Sequence, residues 1–180
     1  MTKLETERLL LRPPEARDAA AITRWMSDYD VAKNLSTAPH PYTEDDALFF
    51  IGRVSEKAVR GESNCFVIVR KDDWQLVGCI GVDRKDGRYE MGYWLAKPFW
   101  NRGYTTEAAG RLLAFAFNEL KAGAVWAGWF HDNPASGRVL EKLGFSPDGA
   151  EPRACLARGH DVYCHMTTLT AADFGQRKAA

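Results

Sequence analysis

Between residues 65 and 130 the hydrophobic pattern changes period once, and that change restricts the fold more than any single residue does. Three strand-like runs, "CFVIVR", "WQLVGCIGV" and "YEMGYWL", are joined by the short polar connections "KDD" and "DRKDGR". Connections this short leave only antiparallel neighbours, and Asp86-Gly87 in the second is a strong hairpin signal. A long helical pattern follows, with Ala109, Leu112, Ala116 and Leu120 on one face, and then a further strand-like run from Ala124 to Phe130. A strand, a helix and a strand in that order imply a right-handed crossover between parallel neighbours. The sheet must therefore be mixed, mostly antiparallel, with one parallel junction at "YEMGYWL". In that strand Tyr89, Met91, Tyr93 and Leu95 share one face and Glu90, Gly92 and Trp94 the other.

The flanking segments add elements to this frame. Thr6 to Pro13 reads as an opening strand and Glu15 to Met26 as a short helix. The turn-rich stretch from Ser27 to Asp46 reads as a loop leading into a helix from about Thr43, its N-cap, to about Arg60. Gly123 is placed to end the crossover helix in a left-handed cap. Asn133, Pro134 and Gly144 punctuate another helix. Two last strands are expected near 145–150 and 161–169. The total is an α/β (α+β) fold of six to seven strands and about four helices, one domain over residues 1–170 with a frayed tail at 171–180. Trp74, Trp126 and Trp129 read as sheet and core residues.

Lys plus Arg and Asp plus Glu both number 24, so no overall field exists to gather nucleic acid or an anionic membrane, and an anionic ligand must be held locally. No apolar run has the length of a signal peptide or a membrane span, so a cytoplasmic protein is expected. Cys65, Cys79, Cys155 and Cys164 form no CxxC pair and suit reduced core thiols. The grouping of Cys155, His160, Cys164 and His165 matches no familiar zinc spacing, so no metal is expected.

Where the meander turns into the crossover stands "WNRGYTTEAA", Trp100 to Ala109. Ligands of open sheets favour such switch points. A helix N-terminus there presents unpaired N–H groups and a partial positive charge, which suit a phosphate. Neither GxxxxGK[ST] nor GxGxxG is present. On local physics alone a glycine at a loop-to-helix junction such as Gly103 is more often only a turn residue.

Three segments together carry a resemblance: "ETERLLLRP", "YEMGYWLAKPFWNRGYTTEAAGRLLAFAF" and "NPASGRVLEKLGF". In order and spacing they resemble the GNAT superfamily of N-acetyltransferases, in its RimJ/RimL-like, ribosomal-protein-alanine branch. The resemblance implies a GNAT fold whose parallel strands splay apart to admit acetyl-CoA, with Arg102, Gly103, Tyr104, Thr105 and Thr106 lining its pyrophosphate. The sequence departs from the family motif Q/R-x-x-G-x-G/A at Trp100 and at Thr105, changes that main-chain amides tolerate; Thr105 could add a hydroxyl donor. A strand bulge in the family leaves an amide facing the thioester, and Leu95 matches it through its backbone N–H. Glu90 resembles the carboxylate that relatives use as general base through water; it could equally be a solvated charge or orient the amine.

The resemblance further implies that Asn133 caps its helix and contacts the pantetheine arm. The tyrosine that commonly protonates the CoA thiolate is Leu140 here, which leaves Ser136, or water, as the acid. Arg138 and Lys142 could reach phosphates, His131 and Asp132 lie beside the same opening, and the segment from Asp28 to Tyr42 resembles the roof of the acceptor site. The implied activity is direct transfer in a ternary complex of acetyl-CoA and a primary amine, on a protein N-terminus or a small molecule. No cysteine is placed with a histidine to form an acyl-enzyme. The alternative is a noncatalytic acyl-CoA-binding sensor or partner module. Pairing with a second copy as a homodimer stays open.

Overall fold

The capping signals set where the chain changes direction, and the alternation sets which face each strand buries. The computed structural model describes residues 2–85 and 87–179. Asp86, half of the expected hairpin signal, lies outside them, while Gly87 takes a left-handed turn conformation with φ 77°. Among the described residues eight strands form one sheet: β1 Leu4–Glu5, β2 Leu9–Arg12, β3 Ser63–Arg70, β4 Leu76–Lys85, β5 Arg88–Leu95, β6 Ala124–Phe130, β7 Ser146–Cys155 and β8 His160–Thr170. Their spatial order is β1-β2-β3-β4-β5-β6-β8-β7. Neighbours are antiparallel except β5 and β6, the parallel pair joined by the long crossover helix.

The count exceeds the expected six to seven because the opening run is a small hairpin, not one strand. The Thr6 N–H donates to the Leu9 carbonyl at 3.0 Å, and the Leu9 N–H donates to the Thr6 hydroxyl at 2.9 Å, so the chain folds back inside "TERLLL". Apolar alternation carries no mark of such a turn.

Among the described residues six α-helices stand where about four helices were expected: α1 Ala19–Met26, α2 Tyr29–Ala32, α3 Glu44–Val59, α4 Tyr104–Asn118, α5 Pro134–Leu143 and α6 Ala171–Ala179. Thr43 caps α3 as expected, in a reciprocal box with Asp46. The short α2 interrupts the stretch read as loop, started by the Asp28 carboxylate accepting the Asp30 N–H. The tail expected to fray is helical, nucleated by hydrogen bonds between Thr170 and Asp173, with the Phe174 ring 4.8 Å from Phe117. After α4 the left-handed residue is Lys121, φ 56°, and not Gly123. Trp74 is a further correction: it lies in the turn before β4, 68% exposed, rather than in the core.

Two cores sandwich the sheet. On one side α4 and α5 set Ala108, Leu112, Leu113 and Leu140 against Ile80, Val82, Met91, Leu95 and Val125. On the other, Ile22 and Met26 of α1 and Ala47 and Ile51 of α3 meet Val67, Val69 and Leu76. Each large aliphatic side chain fully buried this way contributes about 1.5–3 kcal/mol of transfer free energy. The buried Asp18, just before α1, takes a two-pronged bond from Arg12 of β2, both contacts at 2.7 Å, and so fastens the helix to the sheet edge.

Candidate active site

The parallel pair holds together only at its start. Tyr89 pairs with Val125 and Glu90 with Trp126; past them β6 stays with β8 as far as Phe130, and β5 stays with β4 as far as Leu95. The strands therefore splay, as the expected V requires. The register of β5 on β4 runs unbroken from Arg88 to Leu95, and the Ala96 N–H donates to the Val77 carbonyl at 2.8 Å. Because hydrogen-bonded and non-hydrogen-bonded pairs alternate, Ala96, Trp94 and Gly92 turn their backbone groups to β4. Leu95 and Tyr93 turn theirs to the opening. Divergence of β6, rather than a bulge, thus leaves the Leu95 N–H aimed into the V. The carbonyl of Leu95 is taken by the indole N–H of Trp100 at 2.7 Å.

A cavity of about 610 Å³ fills the V. Its wall brings together Glu90, Leu95, Gly103, Tyr104, Thr105, Thr106, Asn133, Ser136, Arg138 and Lys142. Arg102 does not join that wall: its carbonyl accepts from Arg8 at 3.1 Å and its guanidinium leans over Phe99, 5.8 Å from the ring centre.

Gly103 is the N-cap of α4 in the left-handed region, φ 79°, and with no side chain it leaves the first-turn amides uncapped. The Tyr104 ring is buried beneath Arg8, 4.5 Å away, which leaves its main chain at the head of the helix. The loop is tied down by a residue pair not anticipated from sequence. Glu107 accepts from the Thr6 hydroxyl at 2.6 Å, the Arg8 N–H at 2.9 Å and the Arg8 Nε at 2.6 Å. Burial pushes the Glu107 carboxyl up, but the bonds from Thr6 and Arg8 outweigh it and hold the group below its ordinary range.

Glu90 meets Arg153 of β7, with a close Nη1 to Oε1 contact and Nη2 to Oε2 at 3.4 Å; Arg153 Nε also donates to Glu151 at 2.8 Å. Burial of Arg153 would lower its affinity for its proton, yet the bonds to Glu90 and Glu151 raise it. The expected base is thus held in a fork. Glu90 and Arg153 also border a second hollow of about 770 Å³ with Arg88, Trp126, Asp148, Glu151 and Met166.

On the opposite side of the sheet, the Ser136 hydroxyl lies 2.8 Å from that of Tyr93. Asn133 caps α5, its side-chain oxygen accepting the Ser136 N–H at 3.3 Å, while Leu140 is buried in the core. Asp132 is drawn away by Arg158 at 2.7 Å; neither it nor His131 lines the cavity. The roof is Val31, Asn34, Leu35 and Ser36, fastened by the Leu156 N–H to the Ser36 carbonyl at 3.2 Å and by Arg158 Nε to the Lys33 carbonyl at 2.9 Å. Cys164 borders the cavity too, but burial pushes its thiol up, which leaves it a poor nucleophile. Among the described residues no cluster of three or more His, Cys, Asp or Glu could hold a metal ion, and no helix is long and apolar enough to cross a membrane.

Comparison with known proteins agrees with this geometry. The acetyltransferase (GNAT) domain family matches residues 8–146. The uncharacterized N-acetyltransferase p20 of Bacillus licheniformis is 29% identical over 178 residues, 97% of this chain and 99% of its own length. The crystal structure of a GNAT-family acetyltransferase from Bacillus anthracis superposes with a TM-score of 0.80 at 26% identity, over 95% of this chain and 99% of that one. Mycobacterium smegmatis RimJ, solved in complex with CoA-disulfide, shares the fold with a TM-score of 0.82 at 22% identity, over 95% of this chain and 87% of that one.

Proposed function

The chain belongs to the GNAT acetyltransferase family, whose members use acetyl-CoA, and we propose that it moves the acetyl group directly to the primary amine of an extended acceptor such as a protein amino terminus. One observation carries this reading: a single cavity between splayed strands is lined by an inward backbone amide, an uncapped helix N-terminus, a hydroxyl and a carboxylate.

The residues present fit such a donor. The first-turn amides of α4, left open by Gly103, suit a pyrophosphate, and Arg138 and Lys142 of α5 line the same wall. The Leu95 N–H supplies a fixed donor for an oxyanion formed at a carbonyl in the V. Ser136 faces the leaving sulfur from the α5 side. Glu90 faces the acceptor from the other side and receives its ammonium beside Arg153, as orienting carboxylate and as the first stop of the departing proton, through water. The adjoining hollow beyond Glu90 and Arg153 favours an acceptor longer than a compact amine. The raised Cys164 thiol favours direct transfer over an acyl-enzyme.

The test is calorimetry with acetyl-CoA, then thiol release with amino-terminal peptides and small amines, on wild type and Glu90→Gln. The expected outcome is binding by both proteins, faster turnover with peptides, and turnover in the variant reduced about 10²-fold or more, the contribution typical of a general base. Binding without turnover on any acceptor would support a noncatalytic module instead, and an unchanged rate at saturating substrate would remove Glu90 from the chemistry.

A further inference from the structure

The meander strand and α5 meet through two hydroxyls 43 residues apart. Tyr93 belongs to the face of β5 that packs on the α4 and α5 core, so alternation alone assigns it to packing. Its ring does lie against that core, but β6 has already diverged at this level, and the hydroxyl reaches the first turn of α5. There it lies 2.8 Å from Ser136 Oγ, a contact in which either hydroxyl can donate, and 3.3 Å from the Ser136 carbonyl oxygen, the more distant of the two acceptors open to its single hydrogen. Tyr93 and Ser136 both border the cavity.

We propose that Tyr93 is a positioning residue that donates its hydroxyl hydrogen to Ser136 Oγ, leaving the Ser136 hydrogen free to point into the cavity at the sulfur of CoA. The inference rests on the acetyl-transfer reading and adds to its leaving-group donor, Ser136, the residue that orients it. A serine hydroxyl has one hydrogen and can otherwise spend it on a nearby backbone carbonyl. A donor already seated on its lone pair makes the outward direction the favourable one. Burial lifts the Tyr93 phenol to about 12, so it stays protonated across the working range and keeps a hydrogen to give.

The same fact limits what the pair can do. A thiol ordinarily ionises near about 8.5, so a net proton handover from this phenol to a thiolate runs uphill. Tyr93 therefore keeps its proton. When the amine nitrogen bonds to the carbonyl carbon, the carbon–sulfur bond breaks and its electron pair goes to sulfur. That charge is met by the Ser136 hydroxyl, polarised by Tyr93, and the proton lost by the amine reaches the sulfur through solvent. The pair does for the leaving group what an oxyanion hole does for the carbonyl.

The test uses the full chain and two readouts. The first is single-turnover acetyl transfer in wild type, Tyr93→Phe, Ser136→Ala and the double variant. Tyr93→Phe should slow the chemical step about tenfold with acetyl-CoA affinity held within about twofold, less than loss of a direct donor costs, because Ser136 keeps its hydroxyl and loses only its orientation. The double variant should be no slower than Ser136→Ala alone, and Ser136→Thr, which keeps the hydroxyl, should recover most of the rate. The second readout needs no acceptor: the ionisation of bound CoA, followed by thiolate absorbance against pH, should occur about one pH unit lower in wild type than in Tyr93→Phe, the same tenfold preference. Independent, multiplicative effects of the two substitutions, or equal thiol ionisation in both proteins, would overturn the proposal. A shifted ionisation without turnover on any acceptor would uphold the pair while refuting the acetyl-transfer reading, and failure to bind CoA would refute both.

Discussion

The loop before α4 holds its shape through Glu107, and replacing that carboxylate by an amide tests whether the tether serves ligand binding or only stability. Glu107 receives the Thr6 hydroxyl at 2.6 Å, the Arg8 N–H at 2.9 Å, and the Arg8 Nε and Nη2 each at 2.6 Å. In Glu107→Gln one oxygen remains, and the new NH₂ group faces donors. A hydrogen bond to a charged partner contributes about 1.5–3 kcal/mol, but the Arg8 side chain is 42% exposed and water recovers part of the loss. A net loss of about 1–2 kcal/mol is expected, which for a chain of this length lowers Tm by about 2–8 °C.

The ligand effect follows from the other end of Arg8, which donates to the Arg102 carbonyl at 3.1 Å and so sets the backbone just before Gly103. A loosened loop must be ordered on binding, so acetyl-CoA should bind about three- to tenfold more weakly, equivalent to about 0.6–1.4 kcal/mol, with kcat within about twofold. The acid limb gives a sign to check. Glu107 is held below its ordinary range, so its stabilisation is full above the unfolded value of about 4.3 and is lost as pH falls through the folded one. The gap in Tm between wild type and variant should narrow in acid. Differential scanning fluorimetry and calorimetric titration measure both effects. A lowered Tm with unchanged acetyl-CoA affinity would refute the claim that this tether shapes the ligand loop.

Two further substitutions separate other parts of the argument. A side chain at Gly92 would meet no atom within 4 Å at Cβ, on the strand face shared with Glu90 and Trp94; Gly92→Leu should leave acetyl-CoA affinity within about twofold and lower kcat/KM for the acceptor about tenfold or more, as steady-state kinetics would show. Asp18→Asn breaks a buried pair with Arg12 and should cost about 3–5 kcal/mol in urea unfolding at neutral pH. Burial raises the Asp18 carboxyl and the bonds from Arg12 and the Glu15 N–H lower it further, so its contribution fades as pH falls below about 3.9 and the two proteins should converge there; a constant gap would contradict the assignment.

What could be read before the structure is what local physics encodes. The crossover between parallel strands and the Thr43 and Asn133 caps follow from period and hydrogen-bonding side chains, all within a few residues of where they act. The partners that give the site its character could not be read so. Arg153 stands 63 residues from Glu90, Tyr93 stands 43 from Ser136, and Arg8 stands 99 from Glu107. Each pairing depends on strand order and on where β6 leaves β5, neither of which a charge or a hydroxyl in the sequence reports. Alternation put Tyr93 on the correct face yet hid its reach, because a side chain beside a splayed neighbour can pack by its ring and still present its hydroxyl to the gap.

The two departures from the family motif show the same limit from the other direction. Thr105 replaces a small residue but lines the cavity at a helix start, where the proposed working group is the amide and a hydroxyl costs it nothing. Trp100 replaces a long polar residue, and taken alone it argues against a ligand loop. In the folded chain its indole N–H holds the Leu95 carbonyl, so the residue whose amide points into the V is fixed from the far end of its own loop. The side chain that looked like a lost contact thus steadies the strand end carrying the proposed oxyanion donor, while the amides of Thr105 and Thr106 stay open because Gly103 offers them no cap.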